Sequence, residues 1–100
     1  MHVIAYAKLR EFSQHHSTTK TALERWYKTL SKAHFQNFEE LRRTFSNSVD
    51  QVRKCVVFNV GGNKVRVIVK ILYSIQTVYI KSVLTHVEYD MGLWKTECDR

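Results

Sequence analysis

The sequence predicts an α+β fold: an N-terminal strand and two to three helices packed on one face of a small antiparallel β-sheet. Three observations carry that prediction. Apolar residues in the first half recur at helical spacing, whereas those after Gln51 recur at strand spacing. Two turn-rich stretches, Gly61-Gly62-Asn63 and Ser74-Ile75-Gln76-Thr77, cut the second half into a meander. Helices and strands therefore come in separate runs and do not alternate, which excludes a βαβ architecture.

Each element follows from its residues. His2 to Ala7 is short, apolar and β-prone, as an N-terminal strand should be. Lys8 to His16 carries Leu9 and Phe12 at i, i+3, which suits a short helix, and Ser17-Thr18-Thr19 breaks it. Leu23, Trp26, Tyr27, Leu30 and Ala33 then form one apolar stripe, so Trp26 and Tyr27 read as core aromatics. Thr21 and Glu24 have capping-box spacing there, with Thr18 and Thr19 as equally suitable caps. Asn37 and Glu40 repeat that signature ahead of Phe38, Leu41 and Phe45, a third helix that Ser46-Asn47-Ser48 ends.

After Gln51 the period changes. Val56, Val57, Phe58 and Val60 form a β-branched run, and Gly61-Gly62-Asn63 tolerates the positive φ of a tight hairpin. Val65, Val67, Val69 and Ile71 then alternate with Lys64, Arg66 and Lys70, with Ile68 the exception on the cationic face. Val78 to Leu84 is the last strand. One sheet face thus needs the helices as cover, and the other is expected to present Lys and Arg to solvent. Leu93 and Trp94 are expected to dock the tail on the core.

Composition narrows the function classes. One hundred residues make one domain, and 44% apolar with 12% aromatic content argues for a folded globule. The net charge of +7 and the pI near 9.7 favour an anionic partner. No apolar run reaches the roughly 18 residues that span a bilayer. The first eight residues lack the pattern of a signal peptide, so an intracellular protein with no membrane partner is expected. Cys55 and Cys98 are too few and too far apart for a disulfide scaffold or a zinc site; they read as a buried strand residue and a tail thiol.

The charge is unevenly placed. Gln51 to Val87 contains no acid but holds Arg53, Lys54, Lys64, Arg66, Lys70 and Lys81; acids return at Glu88 and Asp90. Lys64 and Arg66 project from one strand face about 7 Å apart, close to phosphate spacing. Arg66 can grip a phosphate through two N–H groups, and Lys64 acts as a mobile point charge. His86 is a natural proton shuttle near neutral pH, and Tyr89 can donate a proton, orient a phosphate or stack on a base. No phosphate-binding loop or metal motif appears: His15 and His16 diverge on a helix, and His2 and His34 stand alone. RNA cleavage without a metal needs a group to take the 2′-OH proton, cations for the phosphorane and a donor for the leaving 5′-oxygen. A Lys/Arg pair with a His and a Tyr covers all three, on RNA only.

Val57-Phe58-Asn59-Val60-Gly61-Gly62-Asn63-Lys64-Val65-Arg66, then Val78-Tyr79-Ile80-Lys81, then Thr85-His86-Val87-Glu88-Tyr89-Asp90, resembles the HigB family of toxins in the RelE/ParE superfamily. The resemblance implies a single RelE/HigB-like toxin domain over residues 1–100 with a RelE-like fold. It implies a cytoplasmic bacterial mRNA interferase, a metal-independent endoribonuclease without cofactor that cuts mRNA on the ribosome. It also implies a cognate helix-turn-helix antitoxin, HigA-like, through which alone operator DNA is reached. The family's catalytic positions map onto Lys64, Arg66, His86 and Tyr89, and Arg53, Lys54, Asn63, Lys70 and Lys81 are expected to hold the RNA. Lys81 stands where many relatives carry arginine, which keeps the charge but loses the bidentate grip. Strict alternation puts His86 on the opposite parity from Lys81, so a bulge or a strand end must bring them together. Two rivals remain: a non-catalytic ribosome- or RNA-binding module, and a ParE-like toxin directed at DNA gyrase.

Overall fold

The computed structural model describes residues 1–62 and 64–99. The chain runs β1 (His2–Ile4), α1 (Tyr6–His15), α2 (Lys20–Lys32), α3 (Phe38–Phe45), β2 (Val49–Val52), β3 (Cys55–Val60), β4 (Val65–Leu72), β5 (Thr77–Thr85) and α4 (His86–Met91). Short 3-10 turns precede α2 and β2, join β4 to β5 and make up Leu93–Cys98. The five strands form one sheet in the order β1-β5-β4-β3-β2. The expected antiparallel meander is present, but β1 joins its edge in parallel with β5, so the sheet is mixed. That pairing is open to β1 because the helices carry the chain across the sheet before the meander begins.

The three first helices pack on one face as expected. Leu9 of α1, Leu23, Trp26 and Leu30 of α2 and Leu41 of α3 meet Val56, Phe58, Val65, Val67, Val69, Val78 and Ile80 of the sheet in the main core. Phe58 sits edge-on to both Trp26 and Phe45, with ring centroids 5.2 and 5.0 Å away. Fully burying side chains of this size contributes about 2–3 kcal/mol each. The α3 cap forms as read: Asn37 Oδ1 accepts from the Glu40 amide at 3.0 Å. The box expected at Thr21 and Glu24 does not form, because a 3-10 turn over Ser17–Thr19 leads straight into α2.

Two strand features depart from the alternation. Val49–Val52, ahead of the region read as β, pairs with Cys55–Phe58 as an edge strand. In β5 the register skips Lys81: Ile68 faces Ser82 and Val69 faces Ile80. Lys81 is therefore the extra residue of a β-bulge, and its carbonyl accepts from Lys8 Nζ at 2.9 Å. The bulge restores Val83 to the core face and turns Leu84 to the other.

That second face is where the structure departs most from expectation. It is not an open cationic surface, because α4 and the tail fold back over it. Cys55, Val57, Ile68, Trp94 and Cys98 form a second small core, flanked by Val52, Leu84 and Tyr89. Trp94 docks as expected, but on this face, while Leu93 remains 73% exposed. Cys98 is not a free tail thiol: it is fully buried and bonded to Cys55, with Cα atoms 5.2 Å apart. The two cysteines are 43 positions apart, but the chain between them traverses the sheet and returns to the start of β3. The Lys54 amide donates to the Cys98 carbonyl at 3.0 Å, and Arg53 Nη1 reaches Asp99 Oδ1 at 2.8 Å.

A crosslink closing a loop of this length contributes about 2–4 kcal/mol. Urea unfolding with and without dithiothreitol should show a loss of that size, and Cys98→Ala should match the reduced protein. A loss below about 0.5 kcal/mol would mean that packing alone holds the tail.

Candidate functional site

The polar residues of the second face are placed by strand register. Asn59 pairs with Arg66 across β3 and β4, and Asp50 pairs with Val57 across β2 and β3. Directly paired residues share a face, so Asp50, Asn59 and Arg66 stand with Val57 and Ile68 on the surface that the tail covers. Arg66 is only 8% exposed. A guanidinium this desolvated needs a partner of opposite or polarisable character.

Tyr89 supplies one. The Arg66 guanidinium carbon lies 5.1 Å from the Tyr89 ring centroid, within cation–π range. The ring is itself stacked on Trp94, with centroids 4.9 Å apart and planes at 16°. Trp94 Nε1 also donates to the Tyr89 carbonyl at 2.9 Å. The Tyr89 ring therefore has both Trp94 and the Arg66 guanidinium as neighbours.

Tyr89 and His86 lie on α4, which starts where β5 ends. Thr85 caps it in a complete box: Thr85 Oγ1 accepts from the Glu88 amide at 3.2 Å, and Glu88 Oε1 from the Thr85 amide at 2.9 Å. The Thr85-x-x-Glu88 spacing is a sequence signature of this helix start. The helix puts His86 and Asp90 one turn apart, and Nδ1 of His86 lies 2.8 Å from Oδ2 of Asp90. That contact orients the ring through Nδ1. Val65 and Thr85 are the last pair of β4 and β5, so Lys64 and His86 both leave from that end of the sheet. Both are exposed.

The predicted catalytic set is therefore gathered in two parts. Arg66 and Tyr89 line a cleft of about 330 Å³, together with Arg42, Asn47, Val49, Asp50, Val57 and Asn59. Lys64 and His86 stand outside its lining. Of the expected RNA-binding residues, Arg53 is engaged with Asp99 and with the Lys95 carbonyl at 3.2 Å, so it clasps the tail. Lys54 is exposed at the same turn, Lys70 and Lys81 are half-buried, and Asn63 lies outside the described residues. Sequence reasoning missed Arg42, Asn47, Asp50 and Asn59 as cleft residues; Asn59, polar within an apolar strand, was the signal. Among the described residues no three His, Cys, Asp or Glu side chains converge to hold a metal.

The profile of the HigB toxin family, the RelE-like toxic component of a toxin–antitoxin system, matches residues 19–92. The chain belongs to that family. It is 37% identical to the mRNA interferase toxin HigB of Escherichia coli K12 over 93 residues, which cover 90% of this chain and 88% of the relative. An mRNA interferase HigB of Shigella flexneri matches at the same identity and coverage. Another, of Escherichia coli O6:H1, is 32% identical over 90% of this chain and 89% of its own. The fold expected for a RelE-like toxin, α+β with helices on a small sheet, is the one observed.

The Arg66–Tyr89 contact is measurable. A double-mutant cycle of Arg66→Met with Tyr89→Leu should give a coupling of about 1 kcal/mol in urea unfolding. A coupling below about 0.3 kcal/mol would contradict the stacked arrangement.

Proposed function

We propose that this toxin is an endoribonuclease that cleaves mRNA, with Arg66 at the scissile phosphate. The observation that carries the reading is the buried, ring-backed Arg66 guanidinium at the floor of a polar cleft. Preorganised cations of this kind stabilise charge that develops in a transition state, because they need no reorganisation when it forms. Two of the relatives above are named mRNA interferase HigB, which accords with it.

The reaction would run through the ribose 2′-OH. Its oxygen bonds to phosphorus as its proton leaves, and the P–O5′ bond breaks as the 5′-oxygen gains a proton. The products are a 2′,3′-cyclic phosphate and a 5′-hydroxyl. Arg66 and Lys64 would hold the phosphorane oxygens. His86, oriented by Asp90, would transfer the proton through Nε2, and the Tyr89 hydroxyl would orient the phosphate or assist that transfer. Lys54, Lys70 and Lys81 would attract the flanking backbone. These residues cover every role without a metal or cofactor.

The partners we infer are mRNA presented on the ribosome and a helix-turn-helix antitoxin through which operator DNA is met. No helix among the described residues is long and apolar enough to cross a membrane. We place the protein in the bacterial cytoplasm, where a cystine is rarely maintained. There Cys55 and Cys98 would stand as packed thiols, and the Trp94 packing with the Arg53–Asp99 pair would hold the tail.

Cleavage assays on mRNA, with and without ribosomes, test the reading. Arg66→Ala and His86→Ala should each lose about 100-fold or more in rate, as for removal of an oxyanion donor or a general acid–base group. If both variants cut as well as wild type at matched, folded protein, the site is misassigned. RNA binding with no cleaved product would leave a non-catalytic binding module.

A further inference from the structure

The cleft beside Arg66 carries more recognition chemistry than phosphate cleavage uses. Asp50, Asn47 and Asn59 line it with Arg42, and no catalytic role above requires them. Asp50 is the only acid among the described lining residues, and it adds an acceptor that phosphate binding does not use. Among the described residues its one hydrogen bond is from the Gln51 amide to Oδ1 at 2.9 Å, which leaves Oδ2 to accept. Among the described residues the Asn47 and Asn59 side chains make no hydrogen bond, so both amides keep their donors and acceptors.

We propose that this cleft is a base-reading subsite. It takes one unpaired nucleobase bearing an exocyclic amino group, with Asp50 as the specificity-determining residue. The inference rests on the RNA-cleaving reading above. A carboxylate accepts from the amino group of adenine, cytosine or guanine, and uracil has no such donor. Uracil offers only its ring N3–H between two carbonyl oxygens, so any hydrogen bond to Asp50 comes with carboxylate–carbonyl repulsion that disfavours it. Asn47 and Asn59 can pair with the remaining edge atoms, since an amide both donates and accepts. The base would sit between the sheet residues Asp50 and Asn59 and Asn47 of the turn that follows α3, which line the cleft together. Its phosphate then falls beside Arg66, which couples base choice to the position of the cut.

Binding of 2′-fluoro RNA hexamers, which lack the attacking hydroxyl, separates this inference from the reading beneath it. Fluorescence anisotropy should show wild type binding A6 and C6 about 10-fold more tightly than U6, the size of one good base contact. Asp50→Asn, nearly isosteric and able to donate to a uracil carbonyl, should bring U6 to within about 2-fold of A6. Circular dichroism would verify that the variant is folded. Equal binding of the three hexamers by wild type, or an unchanged preference in Asp50→Asn, would overturn the subsite while leaving the RNA-cleaving reading intact. Failure of wild type to bind any hexamer would also overturn the subsite, and absence of cleaved mRNA both with and without ribosomes would overturn the reading beneath it.

Discussion

An arginine on the covered face of a sheet constrains most of what surrounds it. Arg66 lies between Val65 and Val67, both buried in the main core, so its own side chain must leave on the opposite face. There it meets Val57 and Ile68, which need to be kept from water. A bare guanidinium among such neighbours would be costly, and an open apolar face would be costly too. The returning tail offsets both. Trp94 covers the apolar part, Tyr89 packs against both Trp94 and the guanidinium, and Cys98 packs with Cys55 at the start of β3.

The arrangement explains why a site of this kind can be stable in a chain of 100 residues. The helices and the core face of the sheet carry the packing. The second face, with only a small apolar cluster, is free to hold polar groups. Arg66 is fixed by rings, whereas Lys64 and His86 sit at the open end of β4 and β5, where long and titratable side chains can adjust to a substrate. In the proposed reading, preorganisation at the buried Arg66 and proton transfer at the exposed His86 would lie at adjoining parts of one sheet.

Much of this was legible in the sequence. The α2 stripe, the Asn37–Glu40 cap, the Gly61-Gly62 hairpin and the Val65–Ile71 alternation depend on neighbours within a few residues, and each formed. The parity conflict between Lys81 and His86 also anticipated a real bulge. What escaped was set by distant partners. Val49–Val52 became a strand because β3 offered an unpaired edge. Cys98 became buried because Trp94 brought the tail back. The cationic face was misread as open since alternation reveals which residues share a face but not what later folds over it. Half of the site went unseen for the same reason: Arg42 and Asn47 reach the cleft from around the α3 terminus, far in sequence from Arg66.

A crystal structure of the protein with a short 2′-O-methyl RNA tests the central claim most directly. The account predicts a backbone phosphate within hydrogen-bonding distance of the Arg66 guanidinium, with Tyr89 still packed against both Arg66 and Trp94. RNA bound across the helical face, or a phosphate held by other cations with Arg66 unengaged, would contradict it.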